Sequence, residues 1–137
     1  MGIEAGVYAR LTSSTALTAL VGSRIYPNQV PEGVAHPNVV FTINFDEAVH
    51  TLNTTQNLHT ASIDVEIFAV NDYLGAINIS NAVRKLLNTQ STTFGTISVA
   101  NSHVSDESDD GAIAPTDGSD DYIYARSVSA DLHYYST

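Results

Sequence analysis

The stretch that most constrains the fold is residues 60–70, TASIDVEIFAV, in which apolar and polar side chains alternate. Successive side chains of a strand point to opposite faces. One face would therefore carry Ala61, Ile63, Val65, Ile67 and Ala69, and the other Ser62, Asp64, Glu66 and Phe68. An apolar face of this kind has to be covered by another layer. The pattern predicts a sheet with helices packed on one side.

Three further strands are predicted. NVVFTINF, residues 38–45, places Val39, Phe41, Ile43 and Phe45 on one face and should form an antiparallel hairpin with residues 60–70. TISVANSHV (96–104) and YIYARSVSADLHYY (122–135) are the other two. In the last strand the apolar register shifts, which indicates a bulge near Arg126 or Ser127.

Two helical regions complete the predicted domain. Residues 3–21 show helical spacing that is interrupted at TSST (12–15), where Ser13 or Ser14 would cap a second short helix that ends at Gly22. Asn71 or Asp72 would cap a helix whose apolar stripe comprises Ala76, Ile79, Ala82, Val83 and Leu86. Residues 1–137 thus predict one α+β domain: a four-stranded, mainly antiparallel sheet with two helical regions packed on one face.

A proline-punctuated connector, residues 23–37, follows the first helices. Proline disfavours a helical conformation in the preceding residue, so Tyr26, Val30 and His36 are expected to be extended. Arg24 has a planar donor fork for a backbone or carboxylate group, and Tyr26 packs while keeping a polar tip. The connector either contacts a neighbouring subunit or seals the core of its own chain.

Other side chains are candidates for a subunit interface. Tyr73 and Ile77 lie off the apolar stripe of their helix, where they are either incidentally exposed or in contact with a neighbouring chain. The full set of interface candidates is Arg24, Tyr26, Tyr73, Ile77 and Arg126.

The chain has 15 acidic and 5 basic residues, a formal net charge of −10, which disfavours specific nucleic-acid binding. Seven carboxylates fall in residues 106–121, predicted to be an exposed, mobile hairpin loop that faces a partner or a lumen: Asp106, Glu107, Asp109, Asp110, Asp117, Asp120 and Asp121. A calcium-loop pattern overlaps it at Asp106, Ser108, Asp110, Gly111, Ile113 and Asp117. Its last ligand is Asp rather than Glu, and Pro115 interrupts it, so a solvated loop is the competing interpretation.

The sequence gives no reason to expect an enzyme or a cofactor. Motifs for a nucleophile elbow, a phosphate loop, a dinucleotide fold and a zinc protease are missing, and the five histidines lack metal-ligand spacing. His103 and His133 are expected on neighbouring strands. There is no cysteine, and neither a leader pattern nor an 18-residue apolar run is present, so we expect synthesis in the cytoplasm and no membrane anchor.

The order of these elements resembles a known family. YARLTSSTALTALVGSRIYPNQVPEGVAHPNVVFTI (8–43), and then VHTLN and IDVEIFAVNDYLGAINISNAVRKLLN within residues 49–88, are similar to the small tail-completion proteins of long-tailed bacteriophages. These are also called tail terminators or tail-to-head joining proteins. Beyond residue 88 the acidic loop departs from the family pattern.

The resemblance implies a structural virion protein, assembled in the host cytoplasm. It implies an α+β subunit that forms a six-fold ring on the head-proximal end of the tail tube, stops tube growth and receives the head. Implied partners are other copies of the chain, the tail tube protein and a head-completion or stopper protein, with DNA passing through unbound. Another neck or head-completion connector protein, or a calcium-binding interaction module, is the alternative. Rings often close by pairing strand edges, for which the long last strand and the connector are the natural candidates.

Overall fold

The computed structural model describes residues 2–29, 35–50, 55–113 and 122–135. In chain order the elements are α1 (Ile3–Thr12), α2 (Thr15–Val21), β1 (Ile25–Pro27), β2 (Asn38–His50), β3 (Thr55–Val70), α3 (Tyr73–Leu87), β4 (Thr89–Phe94), β5 (Ile97–Ile113) and β6 (Ile123–Tyr135). Among the described residues, no helix is long and apolar enough to cross a membrane.

All six strands belong to one sheet in the order β1-β2-β3-β6-β5-β4. β1 is parallel to β2, and every other neighbouring pair is antiparallel. α1 contacts both edge strands, β1 and β4, so the sheet curves into a half-barrel around the helices. The predicted four-stranded, mainly antiparallel sheet with two helical regions is therefore wrong, because the sheet is mixed and contains six strands.

The two strands that the sequence pattern missed are the edge strands. In β1 only Ile25 is buried, and in β4, which reads TQSTTF, only Phe94 is buried. Such short or polar segments carry no apolar alternation. They become strands because their backbone groups pair with β2 and β5.

Capping residues set the helix boundaries as expected. Ser14 Oγ accepts a hydrogen bond from the Leu17 amide at 3.2 Å, and Gly22 ends α2 with a φ of +63°. Asp72 Oδ1 accepts a hydrogen bond from the Gly75 amide at 2.9 Å at the start of α3. Two short N-terminal helices and the capped third helix are therefore confirmed.

β3 follows the predicted alternation, whereas β2 leaves it halfway. The apolar set of β3, from Ala61 to Ala69, is at most 2% exposed. In β2, Val39 and Phe41 are buried, but the pairing with β3 shifts between Ile43 and Phe45, so Phe45 lies opposite Ser62 and is 45% exposed. The predicted burial of Phe45 is wrong because one extra residue in a strand turns the following side chains to the other face.

The predicted bulge in β6 is also wrong. The register of β6 with β3 runs without a shift from Leu58↔Tyr135 to Val70↔Ile123. The register shifts belong to the pairing of β6 with β5 and the extra residues lie on β5; one of these shifts, between Asp109 and Gly111, lies opposite Arg126 and Ala125. The apolar pattern of β6 changes because Tyr124 and Arg126 are the residues that face α3 at its start, while Ile123, paired with Val70, points to the other side.

The prediction of a loop over residues 106–121 is wrong for residues 106–113. Asp106 to Ile113 belong to β5 and pair with β6 as far as Ile113↔Ile123. Backbone hydrogen bonds do not need apolar side chains, so the pairing of β5 with β6 continues beyond the apolar part of the pattern. Residues 114–121, including Asp117, Asp120 and Asp121, lie outside the described residues.

Candidate assembly surfaces

The side of the sheet opposite the helices is acidic. Ile63 and Ala130 are buried under the helices, so the residues adjacent to them along each strand face the other way. The register places five carboxylates there, which we call the anionic face: Glu47, Asp64, Glu66, Asp106 and Asp131. The only lysine or arginine within β2–β6 is Arg126, and its Nε donates to Ser80 Oγ of α3 at 2.9 Å, on the helix side.

The helices carry three of the five lysine and arginine residues. Residues 5–31 and 73–105 contain no acidic residue but four of the five cations. Three of these, which we call the cationic surface, are Arg10, Arg84 and Lys85. Arg84 Nη1 donates to Glu107 Oε2 of β5 at 3.3 Å. Arg10 Nε donates to the Leu86 carbonyl at 3.1 Å, so Arg10 lies beside the C-terminal turn of α3, and its guanidinium is 5.3 Å from the Phe94 ring centroid.

Tyr73 and Arg126, two of the interface candidates, meet at Asp109. The Tyr73 hydroxyl donates to Asp109 Oδ2 and Arg126 Nη1 donates to Asp109 Oδ1, both at 2.6 Å. The hydrogen bond from Tyr73, followed by the one from Arg126, lowers the pKa of Asp109 below its ordinary value. The same hydrogen bond raises the pKa of Tyr73. Both side chains therefore connect α3 to β5 and β6 within one chain, although Tyr73 remains 42% exposed.

The remaining interface candidates lie apart from this cluster. Arg24 Nε donates to the Pro37 carbonyl at 2.8 Å, which joins the two ends of the connector within the chain. Tyr26 is half-buried on the edge strand β1, where it pairs with Val40. Its extended conformation is as predicted. Ile77 is half-buried on α3. A subunit contact by these residues stays a prediction.

The calcium-loop pattern does not form a loop where it is described. Asp106, Ser108 and Asp110 lie in β5, and an extended strand cannot wrap their oxygens around one ion. Asp110 is hydrogen-bonded to the Ser127 hydroxyl, and Asp117 lies outside the described residues. Within the described ranges, no group of three or more His, Asp or Glu side chains is arranged to hold a metal ion.

Sequence reasoning missed a cluster around Asp46. The Tyr134 hydroxyl donates to Asp46 Oδ2 at 2.6 Å, and His59 Nδ1 is 3.1 Å from Asp46 Oδ1. The His59 and Tyr134 rings stack at 5.1 Å. Burial first, and then the Asp46 carboxylate, raises the pKa of Tyr134. The three residues come from different strands, so no local sequence pattern could have indicated their contact.

The two histidines expected on neighbouring strands do lie there. His103 of β5 pairs with Asp131 of β6, and His133 pairs with Asn101. His103 Nε2 is 3.8 Å from Asp131 Oδ2, at a surface position.

A small cavity of about 140 Å³ lies near the start of α3. Its lining includes Leu20, Pro37, Val70 and Ile79, with His36 and Asp72 as its titratable residues. This volume is well below the few hundred Å³ of ordinary small-molecule sites. The cavity therefore offers no enclosed site for a substrate of ordinary size.

The chain is similar to known proteins in both sequence and fold. The family described as tail completion protein gp17 matches residues 5–116. A solved chain from the virion of a native gene transfer agent particle is 18% identical, with a TM-score of 0.53 over 93% of this chain and 91% of that one. A second solved chain, which carries no functional name, is 13% identical with a TM-score of 0.58 over 98% and 96%. No curated protein matches the sequence.

Proposed function

The chain belongs to the phage tail completion family, and from this premise we propose that it forms a ring of six identical subunits at the head-proximal end of the tail tube. The ring ends polymerisation of the tube and provides the surface to which the head is joined. Membership in the family makes the protein a structural component of the virion, located in its tail and neck region. The similar fold of a chain from a gene transfer agent virion supports the proposal.

The observation that carries the proposal furthest is the charge of the anionic face. The anionic face has five carboxylates, and no lysine or arginine of β2–β6 points to that side. Phosphates bind where cations replace their counterions, so this face gives DNA nothing to bind. Six copies, each of net charge −10, would carry about −60 in a closed ring. We therefore assign the anionic face to the border of the DNA passage, where it lets DNA slide.

The acidic end of the β5–β6 hairpin belongs to the same proposal. Asp106, Glu107, Asp109 and Asp110 lie on β5, and Asp117, Asp120 and Asp121 follow in the sequence. This concentration of charge faces either the lumen or a partner protein. The partners we assign to the ring are the tail tube protein on one side and a head-completion or stopper protein on the other.

We infer that the protein acts by assembly rather than by catalysis. The cavity near α3 is small, and two larger clefts beside β4, of about 530 and 380 Å³, are open to solvent and include one histidine, His103, and no carboxylate in their lining. Catalysis would need a nucleophile, a base and a stabilising donor placed together. The family is likewise a structural one.

Electron microscopy of a lysate in which this gene alone is disrupted tests the proposal. We expect filled heads beside unattached tails of abnormal or uncontrolled length. Tails of normal length that only fail to attach would assign the protein to the neck, as a head-completion connector, which is the second candidate. Infectious particles of ordinary appearance would refute both assignments.

A calcium-binding module remains a separate hypothesis with its own test. Isothermal titration with millimolar calcium measures binding of the ion directly, and melting curves with and without calcium measure its effect on stability. We expect neither heat nor a shift in Tm, because Asp106, Ser108 and Asp110 lie on extended backbone. Saturable binding with a raised Tm would establish a calcium site in residues 106–117.

A further inference from the structure

The two outer edges of the sheet both present unpaired backbone. β1 pairs only with Val39 to Phe41, so the outer edge of β2 from Thr42 to His50 has no strand partner within the described chain. β4 is the last strand at the opposite edge. Free N–H and C=O groups of such an edge can bind a strand of another chain. The long last strand, expected from the sequence to supply such an edge, cannot do so because β6 is paired on both sides.

One row of paired residues joins the two free edges directly. It crosses the sheet through Gln90, Asn101, His133, Thr60 and Glu47. Gln90 of β4 and Glu47 of β2 therefore lie at the same level of the sheet and on the same side, the anionic face. Both side chains are exposed. The next row joins Thr89 to Asp46 in the same way, on the helix side, through Ser102, Leu132 and Ala61.

Edges at equal level suit a closed ring whose strands run along the ring axis. Subunits related by rotation alone must bring two different surfaces together without a shift along the axis, because a shift would produce an open helix. The alternation of antiparallel pairs gives β2 and β4 the same direction. A rotated copy therefore presents its β2 edge to β4 in parallel, with Glu47 opposite Gln90.

Charge favours β4, rather than the neighbouring free edge of β5, as the partner of the free edge of β2. β4 contains no charged residue, and Arg10 lies beside it, with its guanidinium 5.3 Å from the Phe94 ring centroid. The free edge of β2 carries Asp46 and Glu47. Beyond Ser102, β5 has no strand on its outer side in the described chain, but that part carries four carboxylates between residues 106 and 110 and two register shifts. Like charges and bulges are devices that keep strand edges from pairing.

From these observations we propose that β4 of one copy pairs in parallel with the Thr42–His50 edge of β2 in the next copy, so that the sheets continue from subunit to subunit. The inference rests on the ring of the proposed function and adds the surface by which that ring closes. Arg10, beside β4 on the helix side, then lies near Asp46 of the adjoining subunit, which is on the same side of the sheet.

Disulfide trapping tests this pairing, because the chain contains no cysteine. Neighbouring strands are about 4.8 Å apart, and a disulfide joins Cα atoms roughly 4.4–6.8 Å apart. Particles are assembled with the E47C/Q90C double variant, oxidised and run on denaturing gels. We expect a ladder of covalent oligomers that ends at the hexamer. The single variants E47C and Q90C should remain monomers, and a mixture of the two should give dimers.

A matched control uses the other free edge. Asp106, Ser129, Asp64 and Thr42 form a comparable row from β5 to β2 on the same face. The T42C/D106C double variant should stay monomeric on oxidation. A ladder from this variant, a bond to a different virion protein, or no ladder from E47C/Q90C in particles that contain rings would each overturn the β4–β2 pairing while leaving the ring itself in place.

Hydrogen exchange on native particles tests the same pairing without any variant. It therefore remains informative if E47C/Q90C fails to assemble. We expect the amides of residues 89–94 to exchange about tenfold more slowly than those of residues 105–110, because a paired edge opens less often. Equal rates would overturn the inference. Particles in which the protein forms no ring at all would instead refute the proposed function, so the two failures are distinguishable.

Discussion

Substitutions at two phenylalanines, Phe45 and Phe94, test the structure, because their burial in it differs from what the sequence pattern indicates. The pattern assigned Phe45 to the core and made no use of Phe94. The structure has Phe94 fully buried against α1, next to Gly6 and under the Arg10 guanidinium, and Phe45 45% exposed on the opposite side of the sheet. Replacing each by alanine should therefore have very different consequences.

The magnitudes follow from burial. Phe94→Ala removes a whole buried ring and leaves a cavity, which costs about 3–5 kcal/mol of the free energy of unfolding. Phe45→Ala loses about half of a transfer free energy of roughly 1.5–3 kcal/mol, and water fills the space, so about 1 kcal/mol is expected. A chain of 137 residues has an unfolding entropy of about 0.3 kcal/mol/K, so Tm should fall by about 10–17 °C and about 3 °C.

Urea denaturation and thermal melting of the purified variants measure both costs. The variant Phe94→Leu is the control, since a large aliphatic side chain fills most of the space and should recover all but about 1.5 kcal/mol. Equal losses for the two alanine variants, or a larger loss for Phe45→Ala, would refute the bulge at Asn44 and the packing of β4 against α1.

Three further substitutions test individual contacts. Asp72→Ala removes the cap that accepts from the Gly75 amide and should cost about 1 kcal/mol in urea denaturation; an unchanged midpoint would contradict a role for this cap. Tyr134→Phe removes the hydroxyl bound to Asp46 and should cost about 0.5–1.5 kcal/mol at pH 7, and a gain in stability would show that burial of the hydroxyl outweighs its hydrogen bond. Asp109→Asn concerns pH: the lowered pKa of Asp109 means that its contribution is complete above the ordinary carboxyl pKa and is lost as pH falls through the lowered value. The wild type should therefore be more stable than the Asn variant at pH 7, with the difference disappearing in acid; a difference that does not change with pH would contradict the pKa shift.

The local signals in the sequence were sufficient for individual elements. Ser14, Gly22 and Asp72 set helix ends because capping depends on a few consecutive residues. Alternation in β3 identified its buried face because the side-chain period of a strand is fixed. For the same reason Tyr73 and Ile77 were recognised as lying off the buried stripe of α3, although only the structure shows that Tyr73 contacts Asp109.

The resemblance in residues 8–88 correctly indicated the tail completion family, although no single motif carries it. Assigning residues to surfaces was harder. Arg126 was named without a partner, and its contacts with Ser80 and Asp109 join residues far apart in the chain. The free edge at β4 was missed because its polar sequence resembles a turn-rich connection.

The sequence by itself determined the excess of negative charge, the helix boundaries, the buried face of β3 and the family, since each depends on composition or on short-range order. Only the tertiary structure decided that β6 lies in the middle of the sheet, that β4 is its edge, and that Glu47 and Gln90 end the same row. Strand order and register depend on backbone pairing between distant segments, and a single extra residue such as Asn44 reverses which side chains are buried. No periodicity within one segment records which other segment it meets.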